Sequence, residues 1–207
     1  MDFLTDGPDD AAITVALAHG AGAAMDSPFM NAIAAGLAGN GLRVVRFEFP
    51  YMQKRRTGGK RGPPDAPRVL QAAWEEVIAE LGPETLVIGG KSLGGRVASM
   101  VADAAGVRGL VCLGYPFHPP GKPEKTRIAH LGKLETPALI LQGTRDPFGS
   151  PEEVASYPLS ASIAVRWIED GDHSFKPRVK SGRTPEQNLG EAVRRIQEFV
   201  SGLSTTT

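Results

Sequence analysis

Six short apolar runs set the frame of this chain: residues 13–18, 44–47, 86–88, 109–114, 138–141 and 163–168. They are close to continuously apolar, as strands covered on both faces must be. Helical patterns fill the intervals. Val69, Leu70, Ala73, Trp74, Val77, Ile78 and Leu81 share one helical face, as do Val97, Ala98, Val101, Ala102 and Ala105. Leu189, Ala192, Val193, Ile196, Phe199 and Val200 mark a final helix from Thr184-Pro185. Ser27-Pro28 opens a helix to about Ala38, and Ser150-Pro151 opens a short one; each pairs an N-cap residue with a first-turn proline. Tyr51 to Pro67 reads as a long loop, and the stretch after Tyr115 holds at most one short helix near Ile128–Leu131. Alternating buried strands and amphipathic helices predict an α/β fold: a three-layer sandwich with a mostly parallel six-stranded sheet and helices on both faces. Residues 1–207 read as a single domain without repeats or linkers.

Composition excludes several classes. Lys+Arg and Asp+Glu both number 23, so a nucleic-acid partner held by bulk charge is not expected. The single cysteine, Cys112, rules out an internal disulfide and a cysteine-rich metal site; within an apolar run it reads as a buried, inert thiol. The acidic, polar start of the chain does not resemble a signal peptide, and no apolar run approaches membrane-spanning length. The expectation is a cytoplasmic protein with no membrane association, no metal and no cofactor.

The most informative turn is Gly90-Lys-Ser-Leu-Gly94. It follows the apolar run at 86–88 and precedes a helical pattern, which is the setting of a G-x-S-x-G nucleophile turn. A strained serine turn needs small neighbours, and glycines flank Ser92 on both sides. A serine nucleophile requires a base. Chain order for this motif is Ser, then acid, then His; of the four histidines only His173 follows a candidate acid placed after a strand. That acid is Asp146 in Gly-Thr-Arg-Asp-Pro, where an Asx turn before Pro147 is compatible with a second role. Asp170 and Asp172 are fallbacks, close in sequence to His173. Oxyanion donors are expected from the amides of Leu93 and Ala21, with Gly22 next in line, and His19 is expected to brace that loop.

In open sheets the ligand lies at the carboxyl ends of the strands, where these loops should converge. Gly22, Lys91, Tyr115 and Phe117 are accordingly expected to contact substrate. Two decoys fail on spacing. Gly90-Lys-Ser92 lacks the upstream glycine of a phosphate loop, where Thr85 stands instead. Gly20-Ala-Gly22, with Glu48 ending the next strand, imitates a dinucleotide fingerprint, but Met25 occupies the third glycine position. The basic stretch Lys54 to Arg61 carries five positive charges, suiting a solvated loop or one that selects an anionic acyl substrate or an acidic partner.

Together, Leu17–Gly22, Gly90–Arg96, Gly114–Lys122, Gln142–Gly149 and Asp170–Phe175 resemble the α/β-hydrolase superfamily along nearly the whole chain. More narrowly they are similar to a family of small lidless hydrolases that includes a testis-expressed protein and a chromatin acetyltransferase-complex subunit. The resemblance implies a Ser92–Asp146–His173 triad acting on a small-molecule acyl substrate. The eukaryotic relatives imply an alternative, a non-catalytic interaction module on the same fold. Only residues 115–137 separate the fourth and fifth apolar runs, too few for a helical lid, so the expected site is shallow and suits small acyl groups. The chain also resembles dienelactone hydrolases, which carry cysteine where this chain has Ser92.

Overall fold

The computed structural model describes residues 1–59 and 62–203. Among these, seven strands form one sheet: β1 (Leu4–Asp6), β2 (Thr14–Ala18), β3 (Arg43–Phe47), β4 (Leu86–Lys91), β5 (Gly109–Leu113), β6 (Ala138–Gly143) and β7 (Ile163–Ile168). Their order is β1-β3-β2-β4-β5-β6-β7, and only β1 is antiparallel to its neighbour. The helices are α1 (Pro28–Ala38), α2 (Pro50–Arg56), α3 (Pro67–Leu81), α4 (Leu93–Ala105), α5 (Pro151–Ala155) and α6 (Pro185–Leu203). None of the described helices is long and apolar enough to cross a membrane.

The period of two along each strand sorts the side chains into two cores. Val15, Leu17, Val87, Val111 and Leu139 pack under Ile33, Leu37, Ala192 and Ile196 of α1 and α6. Ala16, Ala18, Ile88, Cys112 and Ile140 pack under Trp74, Val77, Ala98 and Val101 of α3 and α4. Gly36 lets α1 sit close against α6; a Cβ there would lie 2.6 Å from Val193 Cγ2. Cys112 is buried, and burial raises its thiol pKa, as an inert core cysteine requires.

The three-layer parallel architecture is the expected one, with four amendments. β1 adds a seventh strand at the edge: Leu-Thr-Asp carries no apolar run, and pairing with β3 is backed by an Arg46–Asp6 ion pair of 2.8 Å. The stretch expected to be a loop from Tyr51 instead begins as α2. Pro50 takes its first turn, Lys54, Arg55 and Arg56 face the negative end of its dipole, and the Tyr51 N–H donates to Asp65 Oδ2 (2.8 Å). The short helix expected near Ile128–Leu131 is a 3-10 turn at Leu131–Lys133. Val69, expected on the apolar face of α3, is exposed.

Topology positions the site. β3 and β4 flank β2 on opposite sides, so the chain changes direction across the sheet there. A crevice opens at the carboxyl ends of adjacent parallel strands at such a switch point. The loops leaving β2 and β4 border it.

Two glycines should respond oppositely to alanine. A Cβ on Gly89 would overlap the Val111 carbonyl oxygen of the neighbouring strand, so Gly89→Ala is expected to destabilise by about 3 kcal/mol or more. Gly190 is exposed within α6 with open space around it; Gly190→Ala should stabilise by roughly 0.5–1 kcal/mol. Urea unfolding of both variants checks the pair, and a stable Gly89→Ala protein would refute the close β4–β5 approach.

Candidate active site

Ser92 stands between β4 and α4 with φ 50° and ψ −110°, a conformation that costs a non-glycine residue about 1–3 kcal/mol. Neighbouring packing holds it there. The Ser92 N–H donates to Leu113 O at 3.0 Å, and the Arg96 N–H donates to Ser92 O at 3.0 Å, closing the first turn of α4. A Cβ on Gly90 or Gly94 would overlap Ala18 O, so the turn seats directly on the end of β2.

Asp146 lies in the loop after β6 and His173 in the loop after β7. These strands are parallel neighbours, with Gly143 opposite Ile168, so the two loops leave the sheet side by side. Asp146 is buried and accepts from His173 Nδ1 at 2.8 Å through Oδ2. Its Oδ1 accepts from the Phe148 N–H at 2.9 Å, so the Asx turn over Pro147 and the pairing with His173 coexist. With the Nδ1 proton given to Asp146, Nε2 is left with its lone pair. The His173 ring remains 24% exposed and packs against the Phe148 ring, with centroids 4.3 Å apart.

The fallback acids hold the loop rather than the ring. Asp170, in a left-handed conformation with φ 50°, is clamped by Arg178 and by Arg145 (3.2 Å). The Arg178 guanidinium brings its carboxyl pKa down to about 2. Asp172 Oδ1 accepts from the Ser174 and Lys176 N–H groups at 2.8 and 2.9 Å.

Ser92, Leu93 and Ala21 line one open cavity of about 480 Å³ together with Pro64, Pro116, Phe148, Arg96 and Arg127. Among the described residues, neither the Ala21 nor the Leu93 amide donates to a protein acceptor, and no hydrogen bond joins Ser92 Oγ to the His173 ring. His19 braces the Ala21 loop. The Phe49 N–H donates to its Nε2 (3.1 Å), placing the ring proton on Nδ1, which donates to Gly20 O (2.7 Å). Burial lowers the His19 pKa in keeping with this neutral form. Tyr51 Oη also donates to Ala21 O at 3.2 Å.

The four residues expected to contact substrate all lie outside the Ser92 cavity. Tyr115 and Phe117 are fully buried, because the chain reverses at Gly114 (φ 67°) and turns both rings into the core beneath α4 and α5. Lys91 is buried as well. The strand's alternation sends its side chain to the α1 face, where Nζ lies 5.6 Å over the Phe29 ring and donates to His173 O at 2.6 Å. Gly22 lines a separate cavity of about 420 Å³ with Glu48, Arg55 and Arg56. In that cavity Arg56 binds Glu48 (2.7 Å) and Asp26 (2.9 Å). Burial alone would raise the Glu48 pKa, but the Arg56 fork outweighs it and holds the carboxyl below its usual range. Of the basic stretch, Arg56 is thus held in internal ion pairs and Arg55 lies over the Tyr51 ring; Lys60 and Arg61 lie outside the described residues. Unforeseen in the sequence are Arg96, Arg127 and Phe148 at the Ser92 cavity. Only Arg96 carried a signal, its four-residue spacing from Ser92.

A serine at a strand–helix elbow beside a buried Asp–His pair, on a parallel sheet, defines a class of α/β protein, and comparison with known proteins agrees. A family model described as alpha/beta hydrolase domain matches residues 11–201, and the chain belongs to that family. Three solved structures share the fold at low identity. An alpha-beta serine hydrolase homologue from Coxiella burnetii superposes with a TM-score of 0.69 at 21% identity, covering 94% of this chain and 90% of that one. A lidless serine hydrolase from Xanthomonas campestris gives 0.63 at 21% identity, covering 94% and 88%. A dienelactone hydrolase from Anabaena variabilis gives 0.73 at 20% identity, covering 97% and 90%.

Lys91 generates a pH prediction. Burial lowers its pKa to about 8, against the pull of Asp146 and Asp172, from an ordinary value of 10.5. Between those values the unfolded chain binds more protons than the folded one, so stability should rise as pH rises through that window and stay flat below it. The gain is at most about 3 kcal/mol. Urea unfolding at pH 7 and pH 10 should show it in the wild type and not in Lys91→Met. An equal pH dependence in both proteins would exclude a strained buried ammonium.

Proposed function

We propose that the protein is a serine hydrolase that cleaves small carboxylic esters or related acyl compounds through an acyl-enzyme. The observation that carries this reading is the Asp146–His173 hydrogen bond of 2.8 Å, with the His173 ring packed on Phe148, which lines the cavity of a serine held at φ 50°. Ser92 Oγ attacks the carbonyl carbon while His173 Nε2 takes its proton. Asp146 fixes the ring tautomer and stabilises the imidazolium. The Ala21 and Leu93 amides, free of protein acceptors and lining the same cavity, hold the oxyanion. His173 then protonates the departing alkoxide, and water repeats the sequence to release the acid and regenerate Ser92. The connection from β5 to β6 contains one 3-10 turn and no α-helix, so the cavity stays open to small or exposed acyl groups.

One observation favours the alternative of a binding module that keeps the fold: Ser92 Oγ and the His173 ring are not hydrogen-bonded. Catalytic hydrogen bonds often tighten only when substrate is bound, so the serine hydrolase reading stands ahead of it. A fluorophosphonate probe separates the two. It should label Ser92 in the folded wild type and leave Ser92→Ala unlabelled. Asp146→Asn should lower kcat on p-nitrophenyl acetate by about 10³–10⁴-fold. Absence of labelling together with ester turnover unaffected by Ser92→Ala would establish the binding module instead.

A further inference from the structure

Arg96 lies four residues beyond Ser92, on the same face of α4. Helical side chains lean toward the helix N-terminus, which carries this one back over the turn that holds Ser92. Arg127 lines the same cavity. Its main chain is pinned: the Arg127 N–H donates to Phe117 O at 2.7 Å, and Tyr115 Oη donates to Arg127 O at 2.9 Å. Both guanidiniums therefore project from fixed backbone beside the candidate nucleophile.

Neither has a counter-ion. Among the described residues, Arg96 and Arg127 form no ion pair and no side-chain hydrogen bond, and Arg96 Nε is buried without a partner. Elsewhere Arg46, Arg56, Arg145, Arg178 and Arg183 all bind carboxylates. Among the described residues no carboxylate lines the Ser92 cavity; its other walls are Ala21, Pro64, Pro116, Leu93 and Phe148. Burial, then the charge of Arg96, lowers the pKa of Arg127, so two like charges face one space with nothing to neutralise them. A planar guanidinium matches a carboxylate or phosphate with two parallel hydrogen bonds, and two such groups with no internal acceptor are complementary to a ligand's anion.

We propose that Arg96 and Arg127 form an anion-binding subsite, so that the substrate is an ester bearing a second, anionic group away from the scissile carbonyl. The ester half of this statement rests on the serine hydrolase reading; the anion half does not. Two measurements test it. The first compares kcat/KM for the mono-p-nitrophenyl ester of glutaric acid with that for p-nitrophenyl butyrate. The wild type should prefer the anionic ester. That ratio should fall about ten- to a hundredfold in Arg96→Gln and in Arg127→Gln, as expected for losing a charged hydrogen bond, and be largely kept in Arg127→Lys. A wild-type ratio near one, or a ratio unmoved in both Gln variants, overturns the proposal. The second titrates glutarate, and separately inorganic phosphate, into Ser92→Ala protein by calorimetry. Saturable binding that the two Gln substitutions abolish supports the subsite, and the anion that binds identifies the substituent as carboxylate or phosphate. Binding of neither overturns it whatever the esters do. Anion binding without any ester turnover or probe labelling leaves the subsite standing and removes the hydrolase reading.

Discussion

The site depends on how closely the end of β4 and the start of α4 press against the neighbouring strands. Gly90 and Gly94 both seat on the carbonyl of Ala18, and Gly89 seats on that of Val111. No side chain fits at these points, so the backbone has one path, and that path puts Ser92 at φ 50°. The same contact draws the loop after β2 alongside. A Cβ on Gly20 would lie 3.8 Å from Ser92 Cβ, and Ala21 follows at the cavity wall. One steric constraint thus strains the serine and sets its amide-bearing partner loop beside it. The strain is sustained by the surrounding sheet, because relaxing Ser92 would require β4 to separate from β2.

The parts of this arrangement that are local or topological were legible in the sequence. Strands buried on both faces leave continuous apolar runs, and a Gly-flanked serine between a strand and a helix admits few conformations. Asp146 and His173 are far apart in sequence, yet their pairing follows from β6 and β7 being parallel neighbours in register. What was not legible is what tertiary packing decides. β1 has no apolar pattern, since edge pairing and the Arg46–Asp6 bridge hold it. α2 did carry helix signals in Pro50 and its basic last turn, but the Gly- and Pro-rich stretch after it reads as loop. Tyr115 and Phe117 follow a strand and so resemble rim residues; the turn at Gly114 sends them inward instead. Lys91 was read from its position beside Ser92, although period-two alternation places adjacent residues on opposite faces of the sheet.

That alternation divides the work at the end of β4. Lys91 goes to the α1 face and holds the backbone carbonyl of His173, while Ser92 opens onto the α4 side. Gly114 keeps the contact between Lys91 and His173 clear; a Cβ there would lie 2.9 Å from both Lys91 Nζ and His173 O. The loop carrying His173 is therefore fixed from below by an ammonium group, from the side by the Asp170 cluster with Arg145 and Arg178, and at its ring by Asp146. Each fastening is buried or partly buried, where a lost partner costs more than the formed bond contributes.

The charge balance around Ser92 follows from these placements. Arg96, Arg127 and the positive end of α4 lie on its borders, with the Lys91 ammonium behind it on the α1 face, against the buried carboxylate of Asp146. Such a field stabilises an oxyanion forming at the carbonyl and opposes a cation forming on His173. In the proposed reaction both charges form together, so a site of positive charge alone would favour one half of the step and hinder the other. Asp146 resolves the conflict because its carboxylate touches the ring nitrogen that becomes positive and lies on the far side of the ring from the lone pair of Nε2. Its burial matters for the same reason: in a water-poor setting one ion pair at hydrogen-bond distance outweighs more distant cations of equal charge.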